Sequence, residues 1–284
     1  MTTTRTEIKS LISLLEDPDP EVQSSVQNRF RELGENAVPL LDQYRTQTSD
    51  HNEKTVIKDI IHNITFGSLY EDFSELLDEG MDNRKQLEKS AFLLARFGNP
   101  TLRIEEYQRK LDRFATEIRS DITYHPSDNR QMHILLNYVF SDLQFRGDER
   151  RYHDPENAFI DRVLDRRRGL PVMLSLIVIF IARRLDLPFH GVNMPIHFML
   201  VFEGQSEEIL IDPLDGGAIV TYDQCYYFLK KNGIKPRPEH LKKADEREIV
   251  SRTVRNLMHS YSKKKREDKV RDLQSLLQLI ELKG

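Results

Sequence analysis

The sequence lacks several features that would assign it to a common class of protein. Its 284 residues contain a single cysteine, Cys225, which excludes an internal disulfide and any zinc site that needs several thiolates. The N-terminus carries no apolar signal segment, and no apolar run reaches the roughly 20 residues that cross a membrane. Together with the lone cysteine, these absences predict a reducing, cytoplasmic setting and no membrane partner.

The charge balance argues against a nucleic-acid partner. The chain has 42 Lys and Arg against 46 Asp and Glu, a net charge of −4, so it has no overall attraction for nucleic acid. The basic run at 263–266 is interpreted as a solvated loop between two helices rather than a nucleic-acid patch. No Gly-rich phosphate loop occurs, and we expect no cofactor.

Helical spacing of apolar residues dominates the first hundred residues. Asp19 and Pro20 are typical of a helix start, and Gly34 of a helix end. Two helices joined by a D-P turn resemble one HEAT-type unit, although an ordinary helical bundle explains the pattern equally well because no clean period is present. We assign residues 1–88 to this helical region.

The stretch 166–217 holds the most informative pattern in the chain. Nearly every residue from Leu170 to Leu185 is apolar, which is typical of a helix buried on all sides. Strands are predicted at 189–192, 198–203 and 209–211, and an edge strand at 219–221. The fold class is therefore α+β, with a small antiparallel sheet packed on a buried helix between helical N- and C-terminal regions.

Two polar residues lie in these strand-like runs. His197 is predicted to sit on the strand formed by PIHFMLVF, and Asp212 ends the run EEILID. A hairpin would bring the two strands together, so the carboxylate can hydrogen-bond the imidazole and support its charged form. Two other readings stay open, in which His197 is a neutral core residue and Asp212 bonds the backbone of its own turn.

A nucleophile is expected at the start of the buried helix, where the helix dipole lowers a thiol pKa. The sequence there is GLPVMLS, with no cysteine, and Cys225 is interpreted as a buried structural thiol. Ser175 is the only hydroxyl nearby. It is an alternative nucleophile, although a buried serine commonly bonds a carbonyl one turn back.

Two further kinds of site deserve a prediction. His153, Asp154, His197 and Asp212 are suitable ligand types for zinc or iron, but their spacing matches no metal motif and we predict no metal site. The arginines at 166–168 are suited to an acidic ligand, although ion pairs with Asp161, Asp165 or Glu156 are favoured. The predicted ligand contacts are Arg168, Pro171 and Asn193.

The segments YHDPENAFIDRVLDRRRGLPVMLSL, ARRLDLPFHGVNMPIHFMLVF and ILIDPLDGG resemble the SirB-type branch of the transglutaminase-like superfamily. The resemblance implies a papain-like core over 89–235 and a helical tail over 236–284 that is similar to a TPR-like hairpin. It also implies that His197 and Asp212 are vestigial members of a Cys-His-Asp triad. The cysteine of active relatives would fall at Pro171 or Val172, neither of which is a nucleophile.

The favoured function is therefore non-catalytic: a protein- or peptide-binding module that keeps a His–Asp pair without a cysteine nucleophile. The competing class is an enzyme, either a hydrolase or acyl transferase using Ser175, or a metal-assisted hydrolase using His197 and Asp212.

Overall fold

The computed structural model describes residues 2–15, 17–81 and 84–283, which form two compact units, 1–75 and 76–284. The predicted domain boundaries at 88 and 235 and the HEAT-like and TPR-like assignments remain predictions. The helices are α1 (Thr2–Ser13), α2 (Pro20–Leu33), α3 (Val38–Gln47), α4 (His51–Asp78), α5 (Arg84–Gly98), α6 (Ile104–Tyr124), α7 (Asp128–Asn137), α8 (Ile160–Arg166), α9 (Pro171–Arg184), α10 (Tyr222–Lys231), α11 (Glu246–Lys263) and α12 (Glu267–Leu282). The strands are β1 (Arg146–Gly147), β2 (Arg168–Gly169), β3 (Phe189–Val192), β4 (Met199–Glu203), β5 (Glu208–Asp212) and β6 (Ala218–Val220).

The first unit is helical, and its helix ends follow the sequence signals. The Asp19 carboxylate accepts a hydrogen bond from the Glu21 N–H at the start of α2, where Pro20 is the first helical residue. Gly34 ends this helix with φ of +58°, a conformation that costs glycine little. Side chains such as Phe30 and Leu41, both fully buried, form the core of this unit.

The second unit is organised around α9. Each of its residues from Pro171 to Ala182 is buried, as expected for a helix that is apolar on every face. It packs against α6 and α11 and against strands β3 and β4. Among the described residues no helix is both long enough and apolar enough to cross a bilayer.

The sheet is an antiparallel meander in the order β3-β4-β5-β6. The turn at 204–207 joins β4 to β5, and the Gly204 N–H donates to the Glu207 carbonyl at 3.0 Å. The register pairs Leu200 with Ile211 and Val201 with Leu210, which carries the end of β5 to the start of β4. The predicted small antiparallel sheet on a buried helix is confirmed, and with it the α+β class.

Arg184, the last residue of α9, ties this helix to two others. Its guanidinium donates to both carboxylate oxygens of Glu88 on α5, at 2.6 and 2.9 Å, and to Asp112 on α6 at 2.6 Å. The side chains of Arg184 and Glu88 are 19% and 14% exposed, so water screens this pair less than a surface pair.

We predict that Arg184→Met lowers the free energy of unfolding by about 2–3 kcal/mol, because it leaves charged acceptors without their donor. Urea denaturation measures the loss. The matched control is Arg103→Met, which removes an exposed pair with Glu106 and should cost at most about 0.5 kcal/mol. Equal losses in the two variants would show that Arg184 does not hold the helices together.

Candidate functional site

His197 and Asp212 meet at one end of the sheet. The His197 Nε2 donates to the Asp212 Oδ1 at 2.9 Å, and the two side chains are 11% and 23% exposed. The prediction that His197 lies on a strand is wrong, because β4 begins at Met199 and His197 follows the turn between β3 and β4. The hydrogen bond therefore joins this turn to the last residue of β5.

The Asp212 carboxylate is held in its charged form. Burial alone would raise its pKa, but the hydrogen bond and positive charge of His197 and the N–H groups of Leu214 and Asp215 together lower that pKa. Both N–H groups donate to the same Oδ1, at 2.8 and 3.4 Å. Because the ionised carboxylate can only accept, the imidazole presents an N–H on Nε2 and leaves Nδ1 as an acceptor when the ring is neutral.

The turn that delivers His197 is strained. Pro195 and Ile196 are its central residues, and the His197 N–H donates to the Met194 carbonyl at 3.2 Å. Ile196 has φ of +61°, so the turn is of type II, whose third residue is normally glycine or asparagine. A β-branched residue at positive φ is a true outlier, and Ile196 is also 52% exposed.

Helix α10 supplies the apolar neighbours of the pair. The Phe228 ring lies 5.8 Å from the His197 ring between centroids, and its side chain is 36% exposed. Cys225, one turn earlier on the same helix, is buried with Val201 and Leu229. Burial and the negative charge of Asp212 raise the pKa of the Cys225 thiol, which is the opposite of the shift that activates a nucleophile.

The start of α9 offers no attacking group. Pro171 is its first residue, and Val172, the second, has no exposed surface. Ser175 is fully buried, and its Oγ has no hydrogen-bond partner among the described residues. The serine therefore neither bonds a carbonyl one turn back nor pairs with His197.

Two of the other predicted ligand residues, Asn193 and Arg168, form hydrogen bonds within the protein. The Asn193 Oδ1 accepts from the Arg252 Nη1 on α11 at 3.2 Å. The Arg168 Nη1 donates to the carbonyls of Gln144 and Arg167, at 3.3 and 2.7 Å. Their role as ligand contacts stays a prediction, as does that of Pro171.

The favoured pairing of the arginines at 166–168 with Asp161, Asp165 or Glu156 is wrong. Other residues engage these carboxylates: Asp165 binds Lys110 and Tyr107 on α6, and Glu156 and Asp161 lie beside the nearby Arg162. Arg166 instead binds Asp148, and Arg167 donates to the Leu143 carbonyl.

The four residues with metal-ligand chemistry separate into two places. His153 packs against His259 with ring centroids 4.9 Å apart, and Asp154 binds Lys264. Neither contacts the His197–Asp212 pair. Within the part of the chain that the structure describes, no three His, Cys, Asp or Glu side chains gather as a metal site would require.

Comparison with known proteins gives the family context. A family model described as the transglutaminase-like superfamily matches residues 105–255. A UPF0162 protein of Vibrio cholerae is 28% identical over 180 residues, which cover 62% of this chain and 66% of that protein. A UPF0162 protein of Xylella fastidiosa is 28% identical over 194 residues, or 66% of this chain and 69% of that protein.

A third similarity is shorter. Human F-box only protein 21 is 36% identical over 103 residues, which cover 33% of this chain but 16% of that protein. The chain thus spans about two thirds of the length of the UPF0162 proteins and a small part of the F-box protein. No solved structure matches it.

The lowered pKa of Asp212 predicts a pH-dependent contribution to stability. We expect Asp212→Asn to lower the free energy of unfolding at neutral pH by about 1–2 kcal/mol. The contribution is complete above the ordinary aspartate pKa of 3.8 and is lost as the pH falls through the lower value of the folded state. Denaturation of both proteins from pH 7 downward should therefore show the difference shrinking below about pH 4.

The control for this series is Asp215→Asn, since Asp215 is exposed and contributes only its backbone N–H to the site. It should leave stability almost unchanged at every pH. If the difference in unfolding free energy between wild type and Asp212→Asn stayed constant down to about pH 2–3, the ionised state assigned to Asp212 would be contradicted.

Proposed function

We propose that this chain, which belongs to the transglutaminase-like superfamily, is a non-catalytic protein- or peptide-binding module. The family membership confirms the resemblance found in the sequence. The proposed binding surface is the Ile196–Phe228 patch, defined as Ile196, His197 and Phe228. The observation that carries the proposal is Ile196, which is strained and exposed immediately before the histidine.

Packing within the chain compensates only part of the strain at Ile196. An isoleucine at positive φ costs about 1–3 kcal/mol, and burial of its side chain would return part of that energy. With 52% of its surface exposed, Ile196 recovers little of it within the chain. Strained residues persist mostly at ligand-binding and catalytic positions. A partner that covers Ile196 would supply the missing burial.

The chemistry of the patch suits a polypeptide. Ile196 and Phe228 border the imidazole with exposed apolar surface, and such surfaces commonly mark interaction sites. The Nδ1 of His197 makes no hydrogen bond within the described residues, so a backbone N–H of a bound segment can donate to it when the ring is neutral. Asp212 fixes the ring for that contact, which gives the retained pair a role without a nucleophile.

The lack of an attacking group supports the non-catalytic side of the proposal. The resemblance implies that the cysteine of active relatives would fall at Pro171 or Val172, where no nucleophile is present, and the pKa of Cys225 is raised rather than lowered. The competing proposal, a hydrolase or acyl transferase, would need Ser175, whose hydroxyl is buried and hydrogen-bonded to no described group. A metal-assisted enzyme would need a third ligand beside His197 and Asp212.

Photo-crosslinking tests the binding surface directly. With a benzophenone amino acid at position 228 of the full chain, expressed in cells of the source organism, we expect a discrete crosslinked partner. His197→Ala should reduce its yield only modestly, whereas Ile196→Asp should abolish it by placing a charge in an apolar contact. The same probe at the exposed position 282 is the control and should not capture this partner.

Crosslinking at 228 that survives Ile196→Asp would contradict the proposed surface. Complete loss with His197→Ala, accompanied by loss of a measurable turnover, would favour the enzyme instead.

If the strain at Ile196 serves binding, a substitution that relieves it should raise the stability of the fold and weaken binding. Ile196→Asn should raise the free energy of unfolding by about 1 kcal/mol, because asparagine tolerates a positive φ. The same variant should weaken crosslinking at 228. The control Ile219→Asn replaces an exposed isoleucine in β6 and should give no gain in stability. A neutral or destabilising Ile196→Asn would mean that the turn is not strained.

A further inference from the structure

A pocket lies around strands β1 and β2, and one of its lining residues, Leu214, is hydrogen-bonded to Asp212. Its cavity measures about 530 Å³, within the range of small-molecule sites. Its lining combines guanidinium groups with two carboxylates and one apolar side chain: Arg146, Arg150 and Arg168, Asp148 and Glu149, and Leu214. We call this cavity the arginine pocket.

Two of its arginines face each other without a counter-ion. Strands β1 and β2 run parallel, and their register sets Arg146 directly beside Arg168. Like charges in such positions repel, and none of the three lining arginines has a carboxylate within ion-pair distance among the described residues. Burial, followed by the charges of Arg146 and Arg166, lowers the pKa of Arg168, and the negative charge of Asp148 offsets only part of this shift.

The two lining carboxylates do not neutralise the pocket. Asp148 is already shared by Arg166 at 3.2 Å and Arg151 at 3.5 Å. The Nη1 of Arg166 remains buried without a hydrogen-bond partner among the described residues. Glu149 is exposed and forms no ion pair in the described part of the chain. Five guanidinium groups thus surround two carboxylates.

Leu214 connects the pocket to the His–Asp pair. Its N–H donates to the Asp212 Oδ1, while its side chain lines the arginine pocket. It packs so closely on β1 that a Cβ at Gly147 would lie 2.3 Å from the Leu214 Cδ1. The residues after β2 lead directly into α9. Leu214 therefore borders the pocket and donates a hydrogen bond to Asp212.

We infer that the arginine pocket binds an oxyanion, a carboxylate or phosphate group, carried by the segment that docks on the Ile196–Phe228 patch. The planar fork of arginine matches both groups with paired hydrogen bonds, and a dianion would relieve the repulsion between Arg146 and Arg168. That the docked segment carries the oxyanion rests on the proposed function. That the pocket binds an oxyanion does not.

Calorimetric titration of the full chain at low salt with two probes, inorganic phosphate and hexaglutamate, tests the inference. We expect at least one probe to bind, and the double variant Arg146→Gln/Arg168→Gln to weaken it by about tenfold or more, since each lost charge-assisted contact contributes strongly. The probe that binds more tightly identifies phosphate or carboxylate as the group recognised.

The matched control, Arg109→Gln/Arg271→Gln, removes the same charge from exposed positions on α6 and α12 and should bind as the wild type does. If the pocket double variant does not fold, Arg150→Gln replaces it, because this exposed side chain makes no structural contact in the described residues.

The outcomes separate this inference from the proposed function. Binding of neither probe, or equal weakening in both double variants, overturns the arginine pocket as a site. Ile196→Asp should leave phosphate binding unchanged while abolishing crosslinking at 228. If phosphate binding persists but crosslinking is insensitive to Ile196→Asp, the pocket stands and the proposed surface falls.

Discussion

One oxygen atom holds the functional end of the sheet together. The Asp212 Oδ1 accepts from the His197 imidazole, from the Leu214 N–H and, more weakly, from the Asp215 N–H. Through the first bond it fixes the turn that carries Ile196, and through the second it sets the residue that lines the arginine pocket. The low pKa of this carboxylate keeps all three donors in place at neutral pH. Both proposed binding features therefore depend on it.

The proposed function treats His197 and Asp212 as the orienting half of a triad without its attacking half. A His–Asp pair is useful to a hydrolase because it can take a proton from a nucleophile. Here the start of α9 offers a proline and a buried valine, and the only thiol is buried and its pKa is raised. A neutral imidazole held by a carboxylate can also present a fixed hydrogen-bond acceptor to a bound segment. The proposed function assigns it that use.

Much of the core followed from the sequence. The apolar run of α9, the strands near 189, 199 and 209, and the hairpin between the last two of these strands were all predicted, because apolar runs and strand-like patterns are local signals. The placement of His197 in a strand was wrong. Local propensity favours strand for a Pro-Ile-His run, and only the packed structure forces Ile196 into a positive φ.

The sequence indicated that the arginines at 166–168 suit an acidic ligand, but it could not predict that Arg146 lies beside Arg168. Strands β1 and β2 have two residues each, and the paired residues are 22 positions apart in the sequence. No local pattern predicts such a pairing. The partners of Arg166 and its neighbours likewise come from distant segments rather than from the helical spacing that suggested Asp161, Asp165 or Glu156.

We infer that the His–Asp pair carries out no covalent chemistry. Intact-mass spectrometry tests this directly. The wild type and His197→Ala are exposed in parallel to acyl-donor esters and to electrophiles that label thiols and hydroxyls. If the pair is inert, both proteins should be labelled identically, and any slow reaction at Cys225 should occur at the same rate in each. A rapid adduct in the wild type that disappears with His197→Ala would show an activated nucleophile and contradict the account.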